Sequence, residues 1–231
     1  MVEAPRKWNY YNIVRPWLQP AGTMLDMGTG GGEVLSRFRP LPKSTYATES
    51  HQPNIRVARE RLEPLGIQVL GLEEQKHPPF NKKLPFEDDF FDLIINRHEG
   101  YTPTELLRIL REEGKFITQQ VGSLNALNLR QFLLDRTATD LPNWNLHSAV
   151  SEVESRGFRV ISQMEEVKYA RFYDIGAIAY FLKAIPWIIQ GFTIEKYRDR
   201  LWRLHNRIHQ DGRRDAVNHR FIIVAEKPGP A

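Results

Sequence analysis

A cluster of glycines follows a short apolar segment near the start of the chain, in the order Asp26-Met27-Gly28-Thr29-Gly30-Gly31-Gly32. The apolar residues before the cluster are typical of a buried strand. Glycines in a turn can adopt positive φ angles and let a ligand approach the backbone, because no Cβ is in the way. A helix after such a turn offers unpaired N–H groups. The segment therefore predicts a loop that holds a nucleotide-like ligand.

Loops of this kind bind more than one class of ligand, and one residue here argues against a dinucleotide. The dinucleotide fingerprint requires a third glycine three residues after the second. Counted from Gly28 and Gly30, that position holds Glu33. A carboxylate there would repel a pyrophosphate, so an NAD-dependent oxidoreductase is the least favoured class.

A second acidic residue lies where a ribose could be held. Glu49 closes the β-prone run 44–49, about twenty residues after the loop, as one helix and one strand would require. A carboxylate at a strand end can accept hydrogen bonds from both ribose hydroxyls. We expect the intervening helix to be short, over about 33–38, because Pro40 and Pro42 stop it. The spacing supports one βαβ unit.

A third segment places polar groups at the end of another strand. The apolar run 91–95 has the length of a central strand, and Asn96, Arg97, His98 and Glu99 follow it. Ligands of open α/β sheets bind beyond the carboxyl ends of the strands. These four residues are therefore candidates for the binding cleft.

Taken together, these segments resemble the class I S-adenosylmethionine-dependent methyltransferases of the "type 11" kind. The glycine loop reads Asp-x-Gly-x-Gly-x-Gly, and residues 84–92 read as the Leu-Pro-Phe turn and Phe-Asp pair that lead into the fourth strand. Glu113 stands where the family often has a glycine. The resemblance spans roughly 8–122, and the run 221–226 fits an antiparallel closing strand. It implies an α/β fold of three Rossmann-like layers, with a doubly wound seven-stranded sheet that is mostly parallel and has an antiparallel last strand.

The resemblance also implies S-adenosyl-L-methionine as the cofactor and a set of residues that bind it. By motif match, the glycine loop shapes the methionine side of the pocket, Glu49 holds the ribose, and the residues after the third strand lie near the adenine. The predicted cofactor-binding residues are Asp26, Gly28, Thr29, Gly30, Gly32, Glu49, Ser50, Glu73 and Asn96. A structural tight turn is the alternative interpretation of the glycine positions.

Methyl transfer from a sulfonium is an in-line displacement, so the protein must align the acceptor, exclude water and, for an O–H or N–H⁺ acceptor, provide a base. His98 is the predicted catalytic base, because it follows the fourth strand and histidine titrates near neutrality. A structural histidine bonded to a loop carbonyl is the alternative, and His51, His77 and His147 compete for the role. The segment 96–99 lacks the Asn/Asp-Pro-Pro-aromatic signature of enzymes that methylate base amino groups.

The rest of the chain predicts one domain, over 1–231, with two helical insertions. We expect cap segments at about 122–146 and 174–215, where an apolar run at 175–182 and an amphipathic helix at about 193–210 could cover the cleft. An ordinary core helix without ligand contact is the alternative. The apolar run is too short to span a bilayer, so no membrane partner is expected.

Composition excludes several classes of chemistry. The chain has no cysteine, which rules out disulfides, thiolate metal sites and a thiol nucleophile. His205 and His209 have helical spacing but lack a glutamate between them, so no metal is predicted. The first fifteen residues lack the apolar core of a signal peptide, and we expect a cytoplasmic protein.

The charge raises the question of a nucleic-acid partner. The formal net charge is +4 and the sequence pI is about 9.3, with many arginines between 195 and 215. A solvated helix face is the favoured interpretation, because few aromatic residues lie among these charges. The sequence thus predicts methyl transfer to oxygen or nitrogen of a small molecule. An RNA methyltransferase and a non-catalytic S-adenosylmethionine-binding protein are the alternatives, and a homodimer stays open.

Overall fold

The computed structural model describes residues 1–73, 83–135 and 143–229. Strands and helices alternate through most of this length. The strands are β1 (Val2–Glu3), β2 (Thr23–Met27), β3 (Ser44–Glu49), β4 (Gln68–Gly71), β5 (Phe91–Arg97), β6 (Leu110–Val121), β7 (Arg159–Phe172) and β8 (Arg214–Glu226). The α-helices are α1 (Tyr10–Leu18), α2 (Gln52–Leu62), α3 (Pro103–Ile109), α4 (Leu127–Leu134), α5 (Leu146–Ser155), α6 (Ile175–Ala184) and α7 (Arg198–Asp211).

The described strands form one sheet in the order β1-β7-β8-β6-β5-β2-β3-β4. Strand β2 pairs in parallel with β3 and β5, β3 with β4, and β5 with β6, whereas β1 pairs antiparallel with β7. The predicted α/β Rossmann-like fold is therefore confirmed. The sheet has eight strands instead of the predicted seven. The additional strand, Val2–Glu3, is too short to show a periodic pattern in the sequence.

The chain divides into two compact units. The first, here called the loop unit, comprises residues 8–120, 146–164 and 221–231. The second, here called the helix unit, comprises residues 1–7, 121–145 and 165–220. Strands β7 and β8 contribute residues to both units.

The loop unit has its own apolar core, and helix periodicity explains how α1 joins it. Tyr10, Val14 and Leu18 recur every four residues, so they form one buried stripe along α1. This stripe packs against fully buried residues of the parallel strands, among them Met24 of β2 and Ile95 of β5. The central strands are thus held as a rigid platform beneath the glycine loop.

The helix unit has a separate core. Leu129 and Leu133 of α4, Leu182 of α6 and Leu204 of α7 are fully buried in it. Helices α4, α6 and α7 lie within the two predicted cap segments, although α7 begins at Arg198 and not near residue 193. Part of the first cap segment, 136–142, lies outside the described residues. The role of these helices as a cap stays a prediction.

One predicted helix is wrong. Instead of an α-helix over 33–38, a single 3₁₀ turn covers Leu35–Arg37. Phe38 is extended and buried, with its ring centroid 4.9 Å from that of Tyr11 and 6.3 Å from that of Tyr10. This aromatic packing and the following prolines take the chain out of the helical conformation after one turn.

The last glycine of the loop, Gly32, yields a test of the packing. Its φ is +80°, and a Cβ added there would lie 2.7 Å from Cγ of the buried Leu62. We expect Gly32→Ala to lower the free energy of unfolding by about 2–4 kcal/mol, as measured by urea unfolding, because it adds a steric clash to backbone strain. Gly66→Ala is the control, since Gly66 has φ +79° but open space around it, and it should cost only about 1 kcal/mol. An equal loss of unfolding free energy in the two variants would contradict the predicted clash at Gly32.

Candidate functional site

The carboxyl ends of the parallel strands meet at one edge of the loop unit. Met27 at the end of β2 pairs with Thr48 of β3 and with Asn96 of β5. Beyond these ends lies an open cavity of about 700 Å³. Its lining includes Gly28, Glu49, Ser50, Leu72, Glu73 and Glu99. The sheet register therefore brings the glycine loop, the acidic end of β3 and the end of β5 to one cavity, as the strand-end rule predicts.

Among the described residues, Glu49 accepts three hydrogen bonds, all from backbone N–H groups. Its Oε2 accepts a hydrogen bond from the backbone N of Gly30 at 2.7 Å. Its Oε1 accepts from the backbone N of Ser50 at 2.8 Å and of His51 at 2.7 Å. A carboxylate offers about four lone-pair sites, so one acceptor position is left for a ligand hydroxyl. Glu49 thus joins the glycine loop to the start of α2 while it faces the cavity.

The glycine loop is shaped for close approach of a ligand. Gly28 and Gly30 have φ angles of +64° and +63°, and a Cβ added at Gly30 would find nothing within 4 Å. The N–H of Thr29 donates to the carbonyl of Thr48 at 2.9 Å and fixes the loop on β3. Because the backbone faces open space there, the residues present fit a ligand that lies against the loop. Of the predicted loop residues, Gly28 lines the cavity, whereas Asp26, Thr29, Gly30 and Gly32 are not among its lining residues.

Asp26 is a buried carboxyl next to the loop, within the core strand β2. Burial raises the pKa of Asp26 to about 7, and the negative charge of Glu49 adds to this rise. Thr29 and the positive charge of Arg97 act in the opposite direction without outweighing burial. The ionised form of Asp26 is therefore disfavoured in the free protein, and a nearby cation would stabilise it.

Asn96 belongs to a buried polar network. Its Oδ1 accepts from Thr118 Oγ1 at 3.0 Å and from Gln120 Nε2 at 2.8 Å. Gln120 Nε2 also donates to the backbone carbonyl of Glu99 at 3.0 Å. Asn96 Nδ2 has no hydrogen-bond partner within the described part of the chain, and the side chain does not line the cavity. The network fixes the backbone after β5, so Asn96 supports the site from beneath.

His98, the predicted base, lies outside the cavity lining. It is exposed, its φ is +67°, and its N–H donates to the carbonyl of Gln119 at 2.9 Å. Its Nε2 lies 3.3 Å from Nε2 of Gln119, whose Oε1 accepts from Trp8 Nε1 at 2.9 Å. Trp8 can only donate, so the amide nitrogen of Gln119 faces His98 and occupies the Nε2 lone pair. Three other histidines compete with His98 for the role of base. His51 and His147 lie at the starts of helical segments, and His77 lies outside the described residues.

The cavity also contains charged residues that sequence reasoning did not single out as site residues. Glu105 lines it and is fixed by Arg108 Nε at 2.9 Å and by the N–H of Leu84 at 2.7 Å. Among the described residues of the lining, Lys83 is the one basic residue, against four glutamates. Glu99, the second residue after β5, was among the four cleft candidates that the sequence placed at this strand end. Glu105, on α3, had no comparable signal.

Comparisons with known proteins agree with this geometry. Residues 25–118 match the family model described as "Methyltransferase domain". The C-methyltransferase UbiE of ubiquinone and menaquinone biosynthesis from Burkholderia mallei is 28% identical over 129 residues, which cover 52% of this chain and 51% of that protein. The chain thus spans about half the length of the curated relatives it matches.

Two solved structures show the same fold. The YcgJ protein of Bacillus subtilis superposes with a TM-score of 0.60 at 17% identity, over 95% of this chain and 97% of that one. The phosphoethanolamine N-methyltransferase 2 of Haemonchus contortus, solved with S-adenosylhomocysteine, gives a TM-score of 0.51 at 17% identity, over 98% of this chain and 54% of that one.

Residues 25–118 are thus a region of methyltransferase type, and S-adenosyl-L-methionine is the cofactor that this match supports. The prediction of this family and of its cofactor is confirmed. Within the described ranges, no helix is both long and apolar enough to cross a membrane, and no group of acidic and histidine side chains is arranged to hold a metal ion.

The raised pKa of Asp26 can be tested by measuring protein stability as a function of pH. Because its folded pKa of about 7 lies above the ordinary 3.8, its favourable contribution is complete below about pH 4 and is lost as pH rises through 7. We expect the stability of Asp26→Asn relative to the parent to increase by up to about 4 kcal/mol between pH 4 and 8, measured by urea unfolding at each pH.

Asp92→Asn is the control, because Asp92 has the opposite shift. Burial alone would raise its pKa, but hydrogen bonds from Thr23, Arg111 and Gly22 hold the pKa below its ordinary value. Asp92→Asn should therefore lose stability at neutral pH, and the loss should shrink as pH falls through the lowered pKa. A pH-independent difference for Asp26→Asn would contradict the assignment.

Proposed function

We propose that this protein transfers a methyl group from S-adenosyl-L-methionine to a small molecule. The observation that carries the proposal is the acidic character of the cavity at the glycine loop. Glu49, Glu73 and Glu99 line it together with Glu105, which is paired with Arg108. A cavity of this charge attracts a ligand that bears a cation and repels a pyrophosphate. S-Adenosylmethionine carries a sulfonium and an ammonium, whereas NAD carries two phosphates.

The donors and acceptors of the cavity suit the parts of this cofactor. Glu49 would accept from a ribose hydroxyl at its remaining acceptor position, and the open backbone at Gly30 would admit the methionine part. Leu72 and Glu73, which follow β4, would lie beside the adenine. When bound, the cofactor supplies a methyl group that is already activated for displacement. The residues of the chain then need to orient the acceptor, exclude water and accept a proton where the acceptor carries one.

The acceptor is proposed to be an oxygen or a nitrogen of a small molecule. Polar and ionisable groups follow β5, and His98 is the base that sequence reasoning proposes for an acceptor that must lose a proton. The relatives differ in the acceptor atom, because the UbiE protein is named as a C-methyltransferase and the Haemonchus protein as an N-methyltransferase. A carbon acceptor is therefore the alternative within the same class.

An RNA acceptor is the second candidate, and one surface of the helix unit favours it. Trp202 on α7 is 63% exposed, with its ring 5.2 Å from that of His205. On the same helix, the guanidinium groups of Arg203 and Arg207 lie 6.0 and 4.9 Å from the ring centroid of Phe132. Exposed aromatic rings beside arginines are typical of surfaces that bind single-stranded nucleic acid.

Calorimetric titration with S-adenosylmethionine, S-adenosylhomocysteine and NADH tests the cofactor assignment. We expect micromolar binding of the first two ligands and none of NADH. Glu49→Gln should weaken both by about tenfold or more, because it replaces a charged acceptor. Glu60→Gln is the matched control, since Glu60 is exposed on α2 and its ion-pair partner among the described residues is Arg56, at 3.5 Å. Binding of NADH, or an equal loss in both variants, would contradict the proposal.

The acceptor class is tested with S-adenosylmethionine that carries a labelled methyl group. Purified protein is incubated with a small-metabolite extract and, separately, with total RNA at two salt concentrations. Label in the metabolite fraction supports the proposed class, and mass spectrometry then identifies the acceptor atom. Label in RNA, with retention that falls steeply with salt, would favour the second candidate. Cofactor binding without label in either fraction would favour a non-catalytic binding protein.

A further inference from the structure

Glu99 lies directly over the glycine loop. A Cβ added at Gly28 would lie 2.5 Å from Cβ and 2.6 Å from Oε2 of Glu99. Both residues line the cavity, so the carboxylate of Glu99 and the backbone of Gly28 form one part of its wall. The glycine at position 28 is therefore required for two reasons, its positive φ and the space that the Glu99 side chain occupies.

The backbone before Glu99 is held in a conformation that few residues adopt. His98 has φ +67°, a strained angle for a residue with a side chain. It is fixed on one side by the bond from its N–H to the carbonyl of Gln119, and the next carbonyl, that of Glu99, accepts from Gln120. The chain turns sharply at His98, and the following side chain is directed to Gly28. Strain of this kind persists where the surrounding structure over-determines a functional geometry.

The carboxylate of Glu99 has no cationic partner among the described residues. Across the described ranges, 1–73, 83–135 and 143–229, it makes no ion pair, whereas Glu105 of the same cavity pairs with Arg108. Burial raises the pKa of Glu99, and the negative charge of Glu49 raises it further. Of the four glutamates that line the cavity, Glu49 is thus satisfied by three backbone N–H groups, whereas Glu99 has no positive partner in the described part of the chain.

The strand order places Glu99 on a defined side of Glu49. Glu49 ends β3, Leu72 and Glu73 follow β4 on one side, and Gly28 and Glu99 follow β2 and β5 on the other. In S-adenosylmethionine the base is attached at C1′ of the ribose and the sulfur, through C5′, at C4′, so the two groups extend from opposite ends of the sugar. If the ribose is held by Glu49 and the base lies toward the apolar Leu72, the sulfur is directed to Gly28 and Glu99.

We propose that Glu99 is a specificity-determining residue whose carboxylate faces the sulfonium of the methyl donor. This inference rests on the proposed function. The sulfonium is cationic, whereas the sulfur of S-adenosylhomocysteine is a neutral thioether. All other charged groups are common to the two molecules. A carboxylate next to the sulfur therefore makes the site prefer the substrate form of the cofactor over the product form, and it favours release of the product after transfer.

The test is the ratio of the dissociation constants of S-adenosylhomocysteine and S-adenosylmethionine, measured by calorimetry on the whole chain. Glu99→Gln keeps the shape of the side chain and removes its charge. We expect this variant to lower the ratio by about tenfold or more, chiefly through weaker binding of S-adenosylmethionine. Glu60→Gln, on the exposed face of α2, should leave the ratio unchanged.

A second variant makes the test independent of the folding of the first. Glu99→Asp keeps the charge but moves it away from the cavity by one methylene, and it should lower the ratio by a smaller factor. Thermal melting identifies the variants that fold. An unchanged ratio in the folded variants overturns the inference. An equal loss of affinity for both ligands also overturns it, because that result indicates that Glu99 contacts the ammonium group common to both ligands. Failure of the parent to bind either ligand would instead overturn the proposed function.

Discussion

The carboxylate of Glu49 connects two segments that are far apart along the chain. It accepts from the N–H of Gly30 in the glycine loop and from the N–H groups of Ser50 and His51 at the start of α2. These contacts exist only because β2 and β3 pair in parallel, with Met27 opposite Thr48. Without this acceptor, three backbone donors would lack a partner beside the cavity, which is costly wherever water cannot replace it. The shape of the glycine loop thus depends on one side chain at the end of the next strand.

The carboxylates near the glycine loop have different surroundings. Glu49 is surrounded by backbone donors, which offset its negative charge. Asp26 lies behind the loop in the core, and Glu99 lies in front of it without a cation among the described residues; burial raises the pKa of both. The glycine loop is therefore flanked by groups whose ionised forms are disfavoured. A bound cation would lower both pKa values, so cofactor binding and proton release are linked at this site.

Much of this site could be predicted from the sequence. The glycine loop, the strand ends and the position of Glu49 follow from residue types and spacing, because local conformation and parallel pairing determine them. The 3₁₀ turn at Leu35–Arg37 could not be predicted, since Phe38 leaves the helical conformation to pack against Tyr10 and Tyr11, which are distant in sequence. The family resemblance predicted the cofactor, but it did not identify the methyl acceptor.

The sequence does not show whether the side chain of His98 or that of Glu99 enters the cavity. The two residues are adjacent and both are ionisable, so spacing alone cannot decide which side chain enters the cavity. The left-handed backbone at His98 decides it, and that conformation depends on Gln119 and Gln120 of the neighbouring strand. A positive φ at a residue other than glycine is a property of tertiary contacts, and no local pattern encodes it.

We expect the raised pKa values of Asp26 and Glu99 to affect both the stability of the loop unit and its choice of ligand. Buried or half-buried carboxylates without cations destabilise a folded chain, and neutral substitutions at such positions commonly increase stability. A ligand that binds only the folded state and brings the missing positive charge recovers that free energy as affinity. We therefore expect Asp26 and Glu99 to lower the stability of the ligand-free protein and to favour a cationic ligand at the glycine loop.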